Sequence, residues 1–394
     1  MYAGQDVNLI VNVYGFSRGA TAARHFLHIA TNPAETLVVF KNEGVAKAPY
    51  DIPDRRIKIN IDNPMLQYGY FGACLLENEV EPKSIKFNFV GLYDTVASFG
   101  INHRGGLGGI IGDDTKQLGL SAVNKSYFVL QIASDDEYRD NFDLTNINSC
   151  GLYGLELTLP GVHSDIGGSY LDGAKEISVL YCKPYETPNS WAFEGEKIQI
   201  ESEKFKEILI KEGWYSEDQL EIKKFWQSDV ENKSILDKAL VGMYLKGLVG
   251  TKQFVRNTYD KIPLNIMFHY SKQFGVKYLD YKLTDNYAID DSFIENINSQ
   301  LWNYINNCNA KRNQYVEEFK KGSHPSAKQY MDEIKGISYL DYIQEEDLKK
   351  LRKEYLHWSV KTNKMGLNIK GQKHDPSVEG AVGAKYRKRH IQDG

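Results

Sequence analysis

Val7–Leu27, VNLIVNVYGFSRGATAARHFL, decides the fold. It opens with Val7, Leu9, Val11 and Val13 on one face of an alternating run and Ile10 on the other, the pattern of a mostly buried strand. Gly15-Phe16-Ser17-Arg18-Gly19 follows, a G-x-S-x-G, and then Ala20, Ala23, Phe26 and Leu27 recur at helical spacing. Strand, tight glycine turn and helix are the setting of a nucleophile elbow. The five residues alone also fit an idle serine in a glycine-rich turn; the flanking strand and helix favour the nucleophile.

The residue types suit that chemistry. A serine hydroxyl attacks well when a sharp turn presents it and a neighbouring base takes its proton. Gly15 and Gly19 are expected to let strand and helix pass closely. Ser17 then sits at a helix N-terminus, where free N–H groups favour developing negative charge. The backbone N–H of Arg18 is the expected oxyanion donor.

Two further sites lie downstream. Ile85–Val90, IKFNFV, reads as a strand running into Gly91-Leu92-Tyr93-Asp94, and an Asp just past a strand end is where an α/β enzyme presents chemistry. The competing reading is an Asp that caps the next turn with Thr95. Leu152–Leu159 is another expected strand, and it delivers Pro160-Gly161-Val162-His163-Ser164-Asp165. The chain order Ser17, Asp94, His163 is that of α/β-hydrolases. Asp165 is too close in sequence to be assumed the partner of His163. It is expected to hold the loop, or to join His163 and Asp94 at a metal in a rival scheme that lacks a second histidine at ligand spacing.

Other stretches carry weaker signals. His103–Gly109 is a glycine-rich loop without the Lys-Ser/Thr ending of a phosphate cradle. Ser126–Ala133 is helix or strand, and Asp135–Arg139 reads as a solvated acidic turn. From Ala174 helical patterns are expected over Phe205–Glu212, Ser234–Leu248, Ile262–Phe274, Ser292–Asn307 and Glu345–Ser359. Gly250 is the expected C-cap of the second and Pro263 suits the first turn of the third. Their apolar stripes fit core packing better than lipid docking. The end, rich in Gly and Lys/Arg, reads as a loose basic tail. The expected organisation is a hydrolase-like core over 1–173, a mainly helical lid, substrate or membrane-facing region over 174–370, and a tail over 371–394.

Composition bounds the rest. The chain has 394 residues, 42% hydrophobic and 25% charged, and a net charge of −4, so no general attraction to nucleic acid is expected. Its four cysteines, Cys74, Cys150, Cys182 and Cys308, are widely spaced and fit free thiols in a reducing cytoplasm. No signal peptide and no membrane-length apolar run are read. No cofactor and no metal are expected.

YGFSRGATAAR, GLYDTVASFG and LPGVHSDIGGSY, in this order, resemble the α/β-hydrolase domain of type VI secretion phospholipase effectors, the class with a GFSRG elbow. IASDDEYRDNF, VRNTYDKIPLNIM and LRKEYLHWS resemble later segments of the same family, so the likeness runs from about residue 7 to residue 359. The resemblance implies an α/β fold with a mostly parallel sheet and a largely helical C-terminal half. It implies Ser17 as nucleophile, His163 as general base and Asp94 as the residue orienting it. It also implies cleavage of membrane glycerophospholipids, of phospholipase A type, by an antibacterial effector injected into rival cells. An immunity protein and a delivery spike would be its partners. The family carries a longer segment before the elbow, with a Gly-rich motif after its first strand, so this sheet is expected to be N-terminally incomplete and short of its second oxyanion donor. The alternatives are a serine esterase acting on a non-lipid ester and an inert binding or delivery module.

Overall fold

In a computed structural model, the structure describes residues 7–48, 56–97, 116, 118–139, 142–184, 191–226, 244–279, 283–324, 326–360, 389 and 391–394. The His103–Gly109 loop lies outside them.

Strand β1 (Asn8–Phe16) leads through Ser17 into helix α1 (Arg18–Thr31). A small antiparallel sheet follows, β2 (Thr36–Phe40), β3 (Glu43–Ala46) and β4 (Ile57–Asn60), and then helix α2 (Gly69–Glu77). The main sheet adds β5 (Ser84–Tyr93) and β6 (Phe128–Ser134). After the short β7 (Leu144–Thr145) comes its last strand, β8 (Gly154–Leu159). Its order is β1-β5-β6-β8 and every pairing in it is parallel. All four strands therefore end at one edge, which receives Ser17, Asp94, Asp135 and the loop to His163.

A parallel sheet is normally covered on both faces, and β6 and β8 show it; the expectation of a mostly buried β1 is corrected, since this edge strand has no fully buried residue and exposes Ile10 and Tyr14. Every residue of β6 is buried, and Leu155, Leu157 and Leu159 of β8 are sealed. That is why Ser126–Ala133 lacked a period: a strand buried on both sides does not alternate. Ala20, Ala23, Leu27 and Ala30 form the buried face of α1. The five-residue helix α3 (His163–Gly167) follows β8.

Beyond α3 the expected helices are joined by a further sheet. Strand β9 (Ala174–Pro184), helix α4 (Trp191–Lys211), β10 (Leu220–Trp226) and β11 (Tyr244–Val255) come first, and the strands form an antiparallel sheet of order β10-β11-β9. The apolar stripe taken for a helix over Ser234–Leu248 is strand from Tyr244 onward; residues 234–243 lie outside the described residues. Leu248 joins the main core while Leu245 and Val249 join a separate cluster, so β11 buries both faces and mimics a helical pattern. Gly250 is no helix cap: it pairs with Leu220 and Ser178, against the ring of Tyr215.

Three of the remaining helices start where periodicity puts them, α5 (Lys261–Gln273), α6 (Ser292–Lys320) and α8 (Glu345–Glu354), though α6 runs on past Asn307 and α8 stops short of Ser359; α7 (Ala327–Lys335) was not expected. Pro263 sits in the first turn of α5. Their stripes are core. Phe274 stacks on Phe128 at 4.0 Å, Tyr304 accepts from the Thr158 N–H at 3.1 Å, and Tyr330 donates to the Gly154 carbonyl at 2.7 Å. One apolar cluster contains residues from β5, β6, β8, α5, α6 and α7, so these helices cover the parallel sheet. The described end of the tail also departs from a loose terminus: β12 (Ile391–Gln392) pairs with β7.

Candidate active site

Ser17 occupies the turn between β1 and α1 with φ 59° and ψ −126°. This backbone is costly for a non-glycine residue and persists only where its surroundings enforce it. The Ser17 N–H donates to the Tyr93 carbonyl, and the Ser17 carbonyl accepts from Ala20 and Thr21 of α1. Arg18 is the first residue of α1, where a backbone N–H has no intrahelical acceptor. The two elbow glycines, given one role by sequence, differ. A Cβ on Gly15 would lie 2.4 Å from the Gly19 carbonyl oxygen, so the close approach requires glycine there; a Cβ on Gly19 would meet nothing within 4 Å.

Asp94 follows β5 directly and also has positive φ, 48°. It is fully buried. It does not cap a turn with Thr95, whose hydroxyl donates to Gln131 instead. One carboxylate oxygen accepts from His163 Nδ1 at 2.6 Å and from the Ser134 hydroxyl at 3.0 Å. The other accepts from the Ser134 N–H at 2.8 Å and from Arg389. Burial pushes the Asp94 pKa up, but the Arg389 charge and the His163 hydrogen bond override it and hold the carboxyl well below the usual carboxylate range.

His163 opens α3. Phe16, the residue before Ser17, packs on its ring at 4.5 Å, and Phe142 meets it edge-on at 5.0 Å. The imidazole is therefore beside the elbow. No hydrogen bond joins it to the Ser17 hydroxyl among the described residues; such contacts are often long before substrate binds.

The loop presenting His163 is held by three carboxylates on three successive N–H groups. Gly161 donates to Asp136 at 2.8 Å, Val162 to Asp165 at 3.0 Å and His163 to Glu137 at 3.3 Å. This corrects the solvated reading of Asp135–Arg139: Asp136 and Glu137 are buried. They remain charged-type residues in a core because each is paired. Arg139 grips Glu137 with bonds of 2.8 and 2.7 Å, and Arg352 approaches Asp136 at 3.8 Å. Despite burial, the Arg139 bonds and charge lower the Glu137 pKa.

Asp165 binds no residue of the elbow. It accepts from His357 Nδ1 at 2.7 Å and from the His357 N–H at 3.1 Å. Beside it the Ser359 hydroxyl donates to Glu137, and the Trp358 N–H to Glu176. Segment 356–359 is thereby locked to the His163 loop. Single-residue reading missed Asp136, Glu137, Arg139 and His357; the motif likeness in IASDDEYRDNF and LRKEYLHWS was the available signal. Arg389 had none. Among the described residues no cluster of three metal-ligating side chains occurs, and Asp165 points its carboxylate at His357 rather than sharing a site with Asp94.

Residues 4–182 match the family described as type VI secretion system phospholipase effector Tle1-like, catalytic domain. That stretch is similar to the catalytic domain of these effectors. Ser17, Asp94 and His163 all fall inside it. No curated protein matches the chain in sequence. Over its whole length the chain is similar in fold to a solved structure titled as the Tle1 effector bound to the VgrG spike from the type 6 secretion system. The identity is 19% and the TM-score 0.53, over 98% of this chain and 68% of that one. A second solved structure, an uncharacterized protein from Pseudomonas aeruginosa, aligns at 21% identity over 42% of this chain and 20% of its own, with a TM-score of 0.22, too slight to bear on the fold. The matched residues run from β1 into β9; beyond them, His357 and Ser359 bind the carboxylates that hold the His163 loop. Cys74, Cys150, Cys182 and Cys308 are free thiols, and no helix among the described residues is long and apolar enough to cross a membrane.

Proposed function

We propose that this chain is a serine esterase of the phospholipase A type, acting on membrane glycerophospholipids. The observation that carries the reading is the 2.6 Å bond between His163 Nδ1 and a buried Asp94, beside a strained serine at a strand-to-helix turn. With its Nδ1–H donated to Asp94, the imidazole keeps Nε2 as the base that takes the Ser17 proton. Ser17 Oγ then attacks the ester carbonyl, the Arg18 N–H binds the oxyanion, and the alcohol leaves with the proton from His163. Water cleaves the acyl-enzyme by the same route and restores the serine.

In this reading residues 1–173 are the catalytic core, residues 174–370 frame the site toward the lipid, and residues 371–394 are a tail whose end returns to the core. The Tle1-like match supports an antibacterial effector exported by the type VI system, with a spike protein as carrier and an immunity protein as its neutraliser in the producing cell. The test is labelling by a fluorophosphonate probe, followed by fatty-acid release from phospholipid vesicles and from short-chain esters. Labelling and release lost in Ser17→Ala are expected. Labelling with cleavage of soluble esters alone would move the substrate away from lipid, and no labelling of the intact protein would leave a binding module.

A further inference from the structure

The C-terminal end of the chain reaches the same carboxylate that binds His163. Arg389 contacts Asp94 through Nη1, which also donates to the Ser134 hydroxyl at 2.8 Å and the Ser134 carbonyl at 3.2 Å. Its other nitrogens donate to the Phe142 carbonyl at 3.1 and 2.9 Å. Phe142 is the ring against the edge of His163. The guanidinium is thus nearly enclosed, 6% exposed, with its donors directed to the residues flanking the Asp94–His163 pair.

The backbone around Arg389 is anchored independently. Ile391 and Gln392 pair with Leu144 and Thr145, and the Asn146 N–H donates to the Gln392 carbonyl at 2.9 Å. Asp393 accepts from the Asn146 and Asn148 side chains at 2.8 and 3.1 Å.

We infer that Arg389 is a positioning residue of the active site, fixing Asp94 and setting the pH at which the Asp94–His163 pair takes up a proton. The inference rests on the serine-esterase reading for its catalytic consequence, though not for the ion pair itself. A carboxylate buried without a cation would capture a proton rather than stay charged. Ser134 supplies Asp94 with two neutral donors, and Arg389 supplies the charge. Among the described residues, charged groups near the pair include Glu137, which accepts the His163 N–H and is paired with Arg139, and Asp135, which also lies in the field of Arg389. Removing Arg389 leaves Asp94 and these anions less compensated, which favours proton uptake by the Asp94–His163 pair at higher pH.

The experiment follows the His163 imidazole by NMR through a pH titration, with the signal identified by its loss in His163→Gln. Arg389→Met and Arg389→Gln remove the charge and Arg389→Lys keeps it; thermal melting checks each fold. In the neutral variants the titration is expected to move up by about one pH unit or more, the scale of a lost neighbouring charge, and in Arg389→Lys to stay near the parent. The acid limb of fluorophosphonate labelling is expected to move with it. A titration unmoved in folded neutral variants overturns the inference, as does unfolding of both neutral variants beside a folded Arg389→Lys with an altered titration. A shifted imidazole titration in a protein that never labels would sink the esterase reading while leaving the ion pair in place.

Discussion

Two buried histidine–aspartate pairs stand side by side in this chain. His163 binds Asp94 at 2.6 Å and His357 binds Asp165 at 2.7 Å, both through Nδ1. The first pair lies between strand ends, with Ser17 and Asp94 both at positive φ and a phenylalanine of the elbow on the imidazole. The second is stacked under Tyr170 at 3.5 Å, and its Nε2 is buried without a hydrogen-bond partner among the described residues. Asp165 also takes the N–H groups of Val162 and His357, so it ties two chain segments together. An Asp–His bond therefore does not mark a reactive site by itself.

That contrast can be broken by exchange of single atoms. Asp94→Asn keeps the shape of the first pair but favours the wrong imidazole tautomer, and it is expected to lower kcat for ester hydrolysis about 10⁴-fold. Circular dichroism of the same sample would show whether the fold survives. Equal loss from Asp165→Asn would erase the distinction between the pairs.

The elbow offers the next largest effect. Gly15→Ala forces a Cβ onto the backbone of Gly19 and Ala20, and is expected to destabilise the fold by about 1–3 kcal/mol or more in urea titration. Gly19→Ala has open space and sits in α1, where alanine is favoured by up to about 1 kcal/mol. If both variants behaved alike, the strand and helix would not approach as closely as the geometry requires.

For the second pair, Asp165→Asn or His357→Gln leaves a buried group short of a partner. Either is expected to cost about 1–3 kcal/mol of stability. Activity should fall less than for Asp94→Asn, because the His163 loop retains Asp136 and Glu137.

The smallest effect concerns Asp135, between β6 and the carboxylates that hold the loop. Burial and the neighbouring Asp136 raise its pKa to about 6. The folded protein thus binds this proton more tightly than the unfolded chain, whose Asp titrates near ~3.9. Stability from this group is present below that pH and falls as pH rises toward 6. Asp135→Asn is expected to flatten that part of the stability profile, measured by thermal melting from pH 4 to 7. An unchanged slope would exclude Asp135 as its source.

Much of the site was legible because it depends on local order. The alternation of Val7–Val13, the glycines around Ser17, and an Asp and a His each just after a strand are patterns of a few adjacent residues. The structure ends β5 at Tyr93 and β8 at Leu159, delivering Asp94 and the His163 loop to the edge that holds Ser17. β11 was misread for a physical reason: when both faces are buried, period two disappears. The acidic run at Asp135 was misread because, apart from its own Arg139, its partners come from elsewhere: Arg352 approaches Asp136, and the N–H groups of Gly161 and His163 bind Asp136 and Glu137.

The sequence by itself determined the strand–elbow–helix unit, the residue types at three strand ends and the amphipathic helices, since each follows from nearest-neighbour geometry and hydrophobic period. Tertiary structure alone decided the partners. Asp165, two residues from His163, serves a histidine far along the chain, while His163 receives Asp94 from another strand and Asp94 receives Arg389 from the chain's end. Buried charges must find counter-charges in space, and distance along the chain does not set distance across a folded sheet.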